Sequence, residues 1–250
     1  MQASRYRGFD GADLAVMEIG AGRPIILLHG LFSSGEMNWR RFGAAAEIAS
    51  AGFRVIMPDF RAHGQSAAPH DPAAYPPDVL ALDIEALVTQ QGLTDFDLGG
   101  YSLGARTVVR LLTRGMRPGR AILAGMGLEG ITGGTKRADF FRRVIDQPDG
   151  WTAGSPEAFA AAFMKQNKVD TTAVRLLLDS QQSTPADLLH ALDTRCLVLC
   201  GVDDRDNGAA ADLALALPNA ALVEIPGNHM SAVTKPDFCT AIAAWLGHEY

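Results

Sequence analysis

The residues best suited to chemistry lie in Gly99-Gly100-Tyr101-Ser102-Leu103-Gly104, where a serine has a glycine two positions away on either side, the pattern G-x-S-x-G. The spacing has a steric reason. A serine held on a sharp strand-to-helix turn points its Oγ outward, and side chains two positions away would crowd it. A helix starting just behind it would supply free N–H donors and positive potential. A serine hydroxyl is a weak nucleophile and needs a base. Of the six histidines, His229 is the best placed, in the turn Pro226-Gly227-Asn228-His229-Met230 beyond the last apolar run. The base needs an orienting carboxylate. Asp204, in Gly201-Val202-Asp203-Asp204, ranks first; Asp203, Asp206 and Glu129 are alternatives. The chain order Ser102, Asp204, His229 is that of one triad class. A further candidate is Ile25-Ile26-Leu27-Leu28-His29-Gly30-Leu31-Phe32, a buried run ending in a His-Gly turn. Glycine there lets the backbone approach a ligand, and the next N–H can serve as a donor.

These residues need elements to position them. Asp10-Gly11 predicts a hairpin near the N-terminus. Short, near-continuous apolar runs follow at Pro24–Leu28, Phe53–Met57, Phe96–Gly99, Arg120–Ala124, Cys196–Cys200 and Ala220–Ile225. Such runs suit parallel strands buried on both faces. Helical patterns alternate with them at Trp39–Ser50, Pro77–Gln91, Leu103–Thr113 and Asp237–Leu246, which defines an α/β fold. Residues 128–183 break the alternation. They carry only helical patterns (Lys136–Asp146, Pro156–Asn167, Thr171–Gln182), punctuated by Gly133-Gly134, Pro148-Asp149-Gly150 and Ser155-Pro156. We read them as a helical lid inserted in a core made of residues 1–127 and 184–250. The expected substrate pocket draws Phe140, Trp151 and Phe163 from the lid, with Phe32, Tyr101 and Met230 beside the candidate catalytic turns. The lid's seven basic and seven acidic residues balance, so no strong preference for an anionic substrate follows from the count.

Composition narrows the function. The 250 residues carry 22 Lys+Arg against 28 Asp+Glu, a net charge of −6, which argues against nucleic-acid binding. No apolar run reaches the ~18 residues that a membrane span needs. Cys196, Cys200 and Cys239 form no disulfide framework; the first two, four apart on a strand, would be separated by roughly 13 Å. The first residues lack the apolar core of a signal peptide, which makes the cytoplasm the expected compartment. Gly125-Met126-Gly127-Leu128-Glu129-Gly130 spells G-x-G-x-x-G, but no helix pattern opens on it and the next apolar strand is about 65 residues on, so a dinucleotide site is not expected. No metal-binding motif is present, and no cofactor is expected.

Taken together, the hairpin, His29-Gly30, Asp59-Phe60-Arg61-Ala62-His63-Gly64-Gln65-Ser66, Gly100–Gly104, Gly201–Asp204 and His229 resemble the α/β-hydrolase family over nearly the whole chain. The second of these motifs is similar to the family's D-x-R-G-x-G-x-S loop, with Ala62 in place of a glycine. Ala105 and Asn228 are two further mild departures. The resemblance implies an eight-stranded, mostly parallel sheet in the order 1-2-4-3-5-6-7-8. It implies Ser102 as nucleophile, His229 as general base and acid, Asp204 as orienting acid, and the backbone N–H groups of Leu31 and Leu103 as oxyanion donors. The compact form with a modest lid resembles small bacterial carboxylesterases and carbon–carbon-bond hydrolases. The expected function is hydrolysis of a small ester through an acyl-enzyme. A carbon–carbon-bond hydrolase, a lactonase or a cofactor-free perhydrolase on the same scaffold is the alternative, and a non-catalytic small-molecule binder a third.

Overall fold

A computed structural model describes residues 4–133 and 135–247. Three positions at each end of the expected core, and the second glycine of the Gly133-Gly134 break, lie outside the described residues. The Asp10-Gly11 turn joins β1 (Ser4–Arg7) to β2 (Asp13–Ile19) as an antiparallel hairpin, with Gly11 at φ 86°. Six more strands follow: β3 (Arg23–Leu28), β4 (Phe53–Pro58), β5 (Asp97–Tyr101), β6 (Arg120–Ala124), β7 (Arg195–Gly201) and β8 (Ala220–Ile225). The eight form one sheet in the order β1-β2-β4-β3-β5-β6-β7-β8. The β1–β2 and β2–β4 pairs are antiparallel, and every pair from β3–β4 onward is parallel.

Helices cover both faces. On one side lie α1 (Ala44–Ser50) and the C-terminal helix Pro236–Gly247, over a core that includes Ile25, Leu27, Val55, Trp39, Leu197 and Phe238. On the other lie α2 (Val79–Gln90) and α3 (Leu103–Thr113), over Ile26, Leu28, Ile56, Leu98, Val108 and Val198. Successive residues of β3, β4 and β7 thus feed opposite cores, which is why their sequences read as unbroken apolar runs. Edge strand β8 departs from that expectation. Ala221, Leu222 and Glu224 are exposed, because β8 ends the sheet and has a strand on one side only. The helical pattern at Trp39–Ser50 also splits. Gly43, at φ 90°, separates a π-helical turn (Glu36–Arg40) from α1. No apolar stripe within one helix could reveal that break, since Trp39 and Ile48 pack into the same core on either side of it.

Between β6 and β7 the chain forms five helices: α4 (Leu128–Thr132), α5 (Thr135–Asp146), α6 (Pro156–Gln166), α7 (Thr171–Ser180) and α8 (Ala186–Leu189). Ser155 and Asp170 cap α6 and α7, their side chains accepting the N–H groups of Ala158 and Ala173. Leu177, Val174, Met164 and Val144 turn inward against the core, while the outer faces carry exposed ion pairs. Helix α9 (Ala210–Ala216) follows β7, and α10 (Pro236–Gly247) closes the described chain.

Candidate active site

Ser102 sits between β5 and α3 at φ 54°, ψ −111°, a conformation that side-chain-bearing residues avoid. The turn is held on all sides. The Ser102 N–H donates to the Ala124 carbonyl of β6 at 2.8 Å. A Cβ on Gly100 would collide with the Gly104 backbone, and one on Gly104 with the Leu28 carbonyl. The two glycines therefore let α3 start directly above β5 and lie against β3, and the serine is forced into its upright pose. Ala105, one of the departures from the family pattern, is fully buried and fits.

The three remote residues meet at the C-terminal edge of the sheet. His229 Nε2 lies 3.0 Å from Ser102 Oγ, and His229 Nδ1 lies 2.8 Å from Asp204 Oδ2. Asp204 and His229 are both buried. Burial alone would raise the Asp204 carboxyl. The hydrogen bond and charge of His229, the Asp206 N–H on Oδ1 and the Cys200 thiol on Oδ2 outweigh it and hold the group below the usual carboxylate value. The ionised acid accepts from Nδ1–H, which leaves Nε2 free to accept the serine proton. The alternatives fall away on position. Asp203 and Glu129 are exposed, and Asp206 pairs with Arg137 at 3.0 Å. The ligand atoms of Asp204, Asp206 and His229 lie within 4.8 Å of one another, as a metal would require, but these hydrogen bonds already account for the cluster.

The His-Gly turn is braced by side chains whose contacts the sequence does not show. His29 and His63 are both buried. His29 Nε2 accepts the Phe60 N–H at 2.9 Å, and His63 Nε2 accepts the Phe32 N–H at 3.1 Å. Their Nδ1 atoms face the Gly30 and Arg61 carbonyls. Burial pushes His29 down to about 4, and burial with the neighbouring His29 pushes His63 down to about 3, so both rings are neutral braces and not bases. Asn38 Oδ1 accepts the Gly30 N–H at 2.9 Å. Phe32 is held at φ 61°. The N–H groups of Leu31 and Leu103 have no acceptor among the described residues, so both remain available to a ligand. Beneath the turn, the Asp59 carboxylate takes the N–H groups of Gly35 and Gln65, and Arg61 forms paired hydrogen bonds with Asp83 and Asp10. Ala62 adopts φ 66°, the conformation that makes glycine usual there.

The six expected pocket residues part company. Phe32 lines a cavity of about 200 Å³ together with Ser33, His63 and the α6–α7 link. Tyr101 is not among the residues that line it. It is 5% exposed in the core beneath the sheet, its ring 5.4 Å from the His229 ring and its hydroxyl donating to the His229 carbonyl. The strand alternation explains this: Tyr101 and Ser102 point to opposite sides of the turn. Phe140, Trp151 and Phe163 are half-buried against the upper core, and Met230 is 57% exposed.

Residues 23–122 match the family model for the alpha/beta hydrolase fold. The chain is 34% identical over 198 residues to the sn-1-specific diacylglycerol lipase ABHD11 of Mus musculus, covering 73% of this chain and 55% of that protein. It is 38% identical over 96 residues to an epoxide hydrolase of Caballeronia sordidicola, covering 38% of this chain and 28% of the relative. The matches thus span about half the length of the curated relatives or less. A crystal structure of a hydrolase from Pseudomonas aeruginosa PA01 superposes with a TM-score of 0.81 at 21% identity, over 99% of both chains, which is a likeness of fold. No helix among the described residues is long and apolar enough to cross a membrane. The family match over residues 23–122 and the likeness of fold over the whole chain place this protein in the α/β-hydrolase fold.

Proposed function

We propose that the protein is a serine hydrolase that cleaves a small ester through an acyl-enzyme intermediate. The observation that carries this reading is the continuous hydrogen-bonded line from Asp204 through His229 to Ser102, at 2.8 and 3.0 Å, ending on a serine in a strained turn. Ser102 Oγ attacks the ester carbonyl while His229 Nε2 takes its proton. The negative charge that builds on the carbonyl oxygen is met by the N–H groups of Leu31 and Leu103, each donor typically contributing about 3–4 kcal/mol. His229 then protonates the departing alcohol. A water that gives its proton to the same nitrogen releases the acid and restores Ser102. Asp204 holds His229 in the productive tautomer and stabilises its cation.

In this reading residues 128–183 form the lid over the site, and Phe32 is its first apolar wall. The diacylglycerol lipase of mouse is an ester-cleaving relative and supports the choice of bond. The epoxide hydrolase and the wider family keep the fold with other chemistry, so bond type must be tested directly. A panel of short aliphatic esters, a lactone, a β-diketone and a peracid assay would be run on the wild type and Ser102→Ala. We expect ester turnover in the wild type that falls by several decades in the variant while its melting temperature holds. Carbon–carbon cleavage or peracid formation without ester turnover would overturn the choice of substrate class.

A further inference from the structure

The charged residues of the segment 128–183 balance in number but not in pairing. Arg137 meets Asp206, Arg142 meets Asp139 and Asp179, Arg143 meets Glu157, Lys165 meets Asp149, and Arg175 meets Asp146 and Asp179. Asp170 has both oxygens engaged, Oδ1 accepting the Ala173 N–H and Oδ2 facing His70 Nε2 at 2.8 Å. Among the segment's basic residues with described side chains, Lys168 is the one with no ion pair or side-chain hydrogen bond.

Its position is unusual in two further ways. Lys168 stands at φ 51°, just after α6, where its N–H donates to Lys165 and the next N–H, of Val169, donates to Met164. That is the left-handed stop of a helix, which glycine adopts freely and lysine resists. Lys168 also lines the cavity of about 200 Å³, together with Phe32, Ser33, His63 and Ser66. Of the other ionisable groups there, His63 is a neutral brace, and the Asp170 carboxylate is held by His70 Nε2 and the Ala173 N–H. Ser33 is two residues from Leu31, within about 8 Å along the chain, so the cavity adjoins the turn that bears the oxyanion donor.

We propose that this cavity is a subsite for a carboxylate on the substrate, and that Lys168 selects for it. The proposal rests on the serine-hydrolase reading and narrows it to esters that carry an acid group a few bonds from the scissile carbonyl, such as the monoesters of short dicarboxylic acids. A lysine without an ion pair that lines a partly enclosed polar cavity can reach an anion bound there, and favours it over a neutral group of the same length.

The test compares monomethyl glutarate with methyl pentanoate, following acid release. The wild type should favour the anionic ester. The ratio of the two kcat/KM values should fall roughly three- to tenfold in Lys168→Gly, fall further in Lys168→Glu and survive in Lys168→Arg. Glycine suits the backbone at this position, so Lys168→Gly removes the charge without threatening the fold. In parallel, binding of monomethyl glutarate to Ser102→Ala protein, by calorimetry, should weaken when Lys168→Gly is added. A ratio unmoved by Lys168→Gly and Lys168→Glu, or binding that ignores Lys168, overturns the subsite. Binding that depends on Lys168 with no ester turnover by the wild type would retain the subsite and sink the serine-hydrolase reading instead.

Discussion

The turn that carries Ser102 and the helical segment between β6 and β7 are held by different kinds of force. Around Ser102, His29, His63 and Asp59 the constraints are buried hydrogen bonds and backbone contacts that admit only glycine. Water cannot compete for these bonds, so removing one partner leaves a buried group unsatisfied. The segment 128–183 docks through apolar contacts, but its outer surface is tied by ion pairs whose side chains are mostly a quarter or more exposed. Such pairs are individually weak and screened by salt. In the proposed reading the chemistry sits on the rigid part, and the lid that would open to admit substrate sits on the part with the softer ties.

The largest effect is expected at the proposed triad. Asp204→Asn keeps the shape but loses the charge that fixes His229; kcat should fall by roughly four orders of magnitude with little change in melting temperature. Measuring both on one preparation checks it. If activity survives, the line of hydrogen bonds at 2.8 and 3.0 Å is structural only.

Glycine substitutions sharpen the contrast next. Gly104→Ala drives a methyl into the Leu28 carbonyl and should destabilise the protein by about 3 kcal/mol or more, or prevent folding. Gly154→Ala, at φ 82° with open space around its Cβ position, should lose only about 1 kcal/mol. Urea unfolding of the two variants compares them; equal losses would contradict the difference in constraint.

Acid should act on the rigid side. His29 and His63 are held at about 4 and about 3 in the folded protein against an ordinary 6.5. Between pH 6.5 and about 4.5 the unfolded chain therefore binds protons that the folded one refuses. Stability is complete above 6.5 and declines as pH falls, by up to about 1.4 kcal/mol per pH unit for each histidine. Urea midpoints across this window should show that slope, and His63→Gln should reduce it by about half. The smallest effect is expected from salt. Raising NaCl from 0.05 to 1 M should speed amide exchange in 135–182 several-fold and leave 98–105 unchanged, as read by hydrogen-exchange mass spectrometry.

How much was legible in the sequence follows the same division. The strands, the serine turn and α3 could be read because apolar runs and paired glycines have local causes. Ser102, Asp204 and His229 could be singled out because each follows a strand at the same sheet edge. Other features needed the third dimension. The break at Gly43 hides inside a continuous apolar pattern. Helix α9 is short and has no side-chain cap to announce it. The exposure of β8 depends on which strand ends up at the edge. Tyr101 reads as a pocket residue by proximity in sequence, yet strand alternation sends it beneath His229. His63 lay inside a recognised motif, but nothing local shows that its ring receives the Phe32 N–H. A count of charges in 128–183 could not show that, among the basic residues with described side chains, Lys168 is the one without an ion pair.

Every step of the proposed reaction requires Ser102 to be an activated nucleophile. Treatment of the purified protein with a fluorophosphonate, followed by intact mass measurement, tests it most directly, with Ser102→Ala alongside. One adduct per wild-type chain and none on the variant is the expected result. A folded wild type that stays unmodified, or a variant that labels equally well, would contradict it.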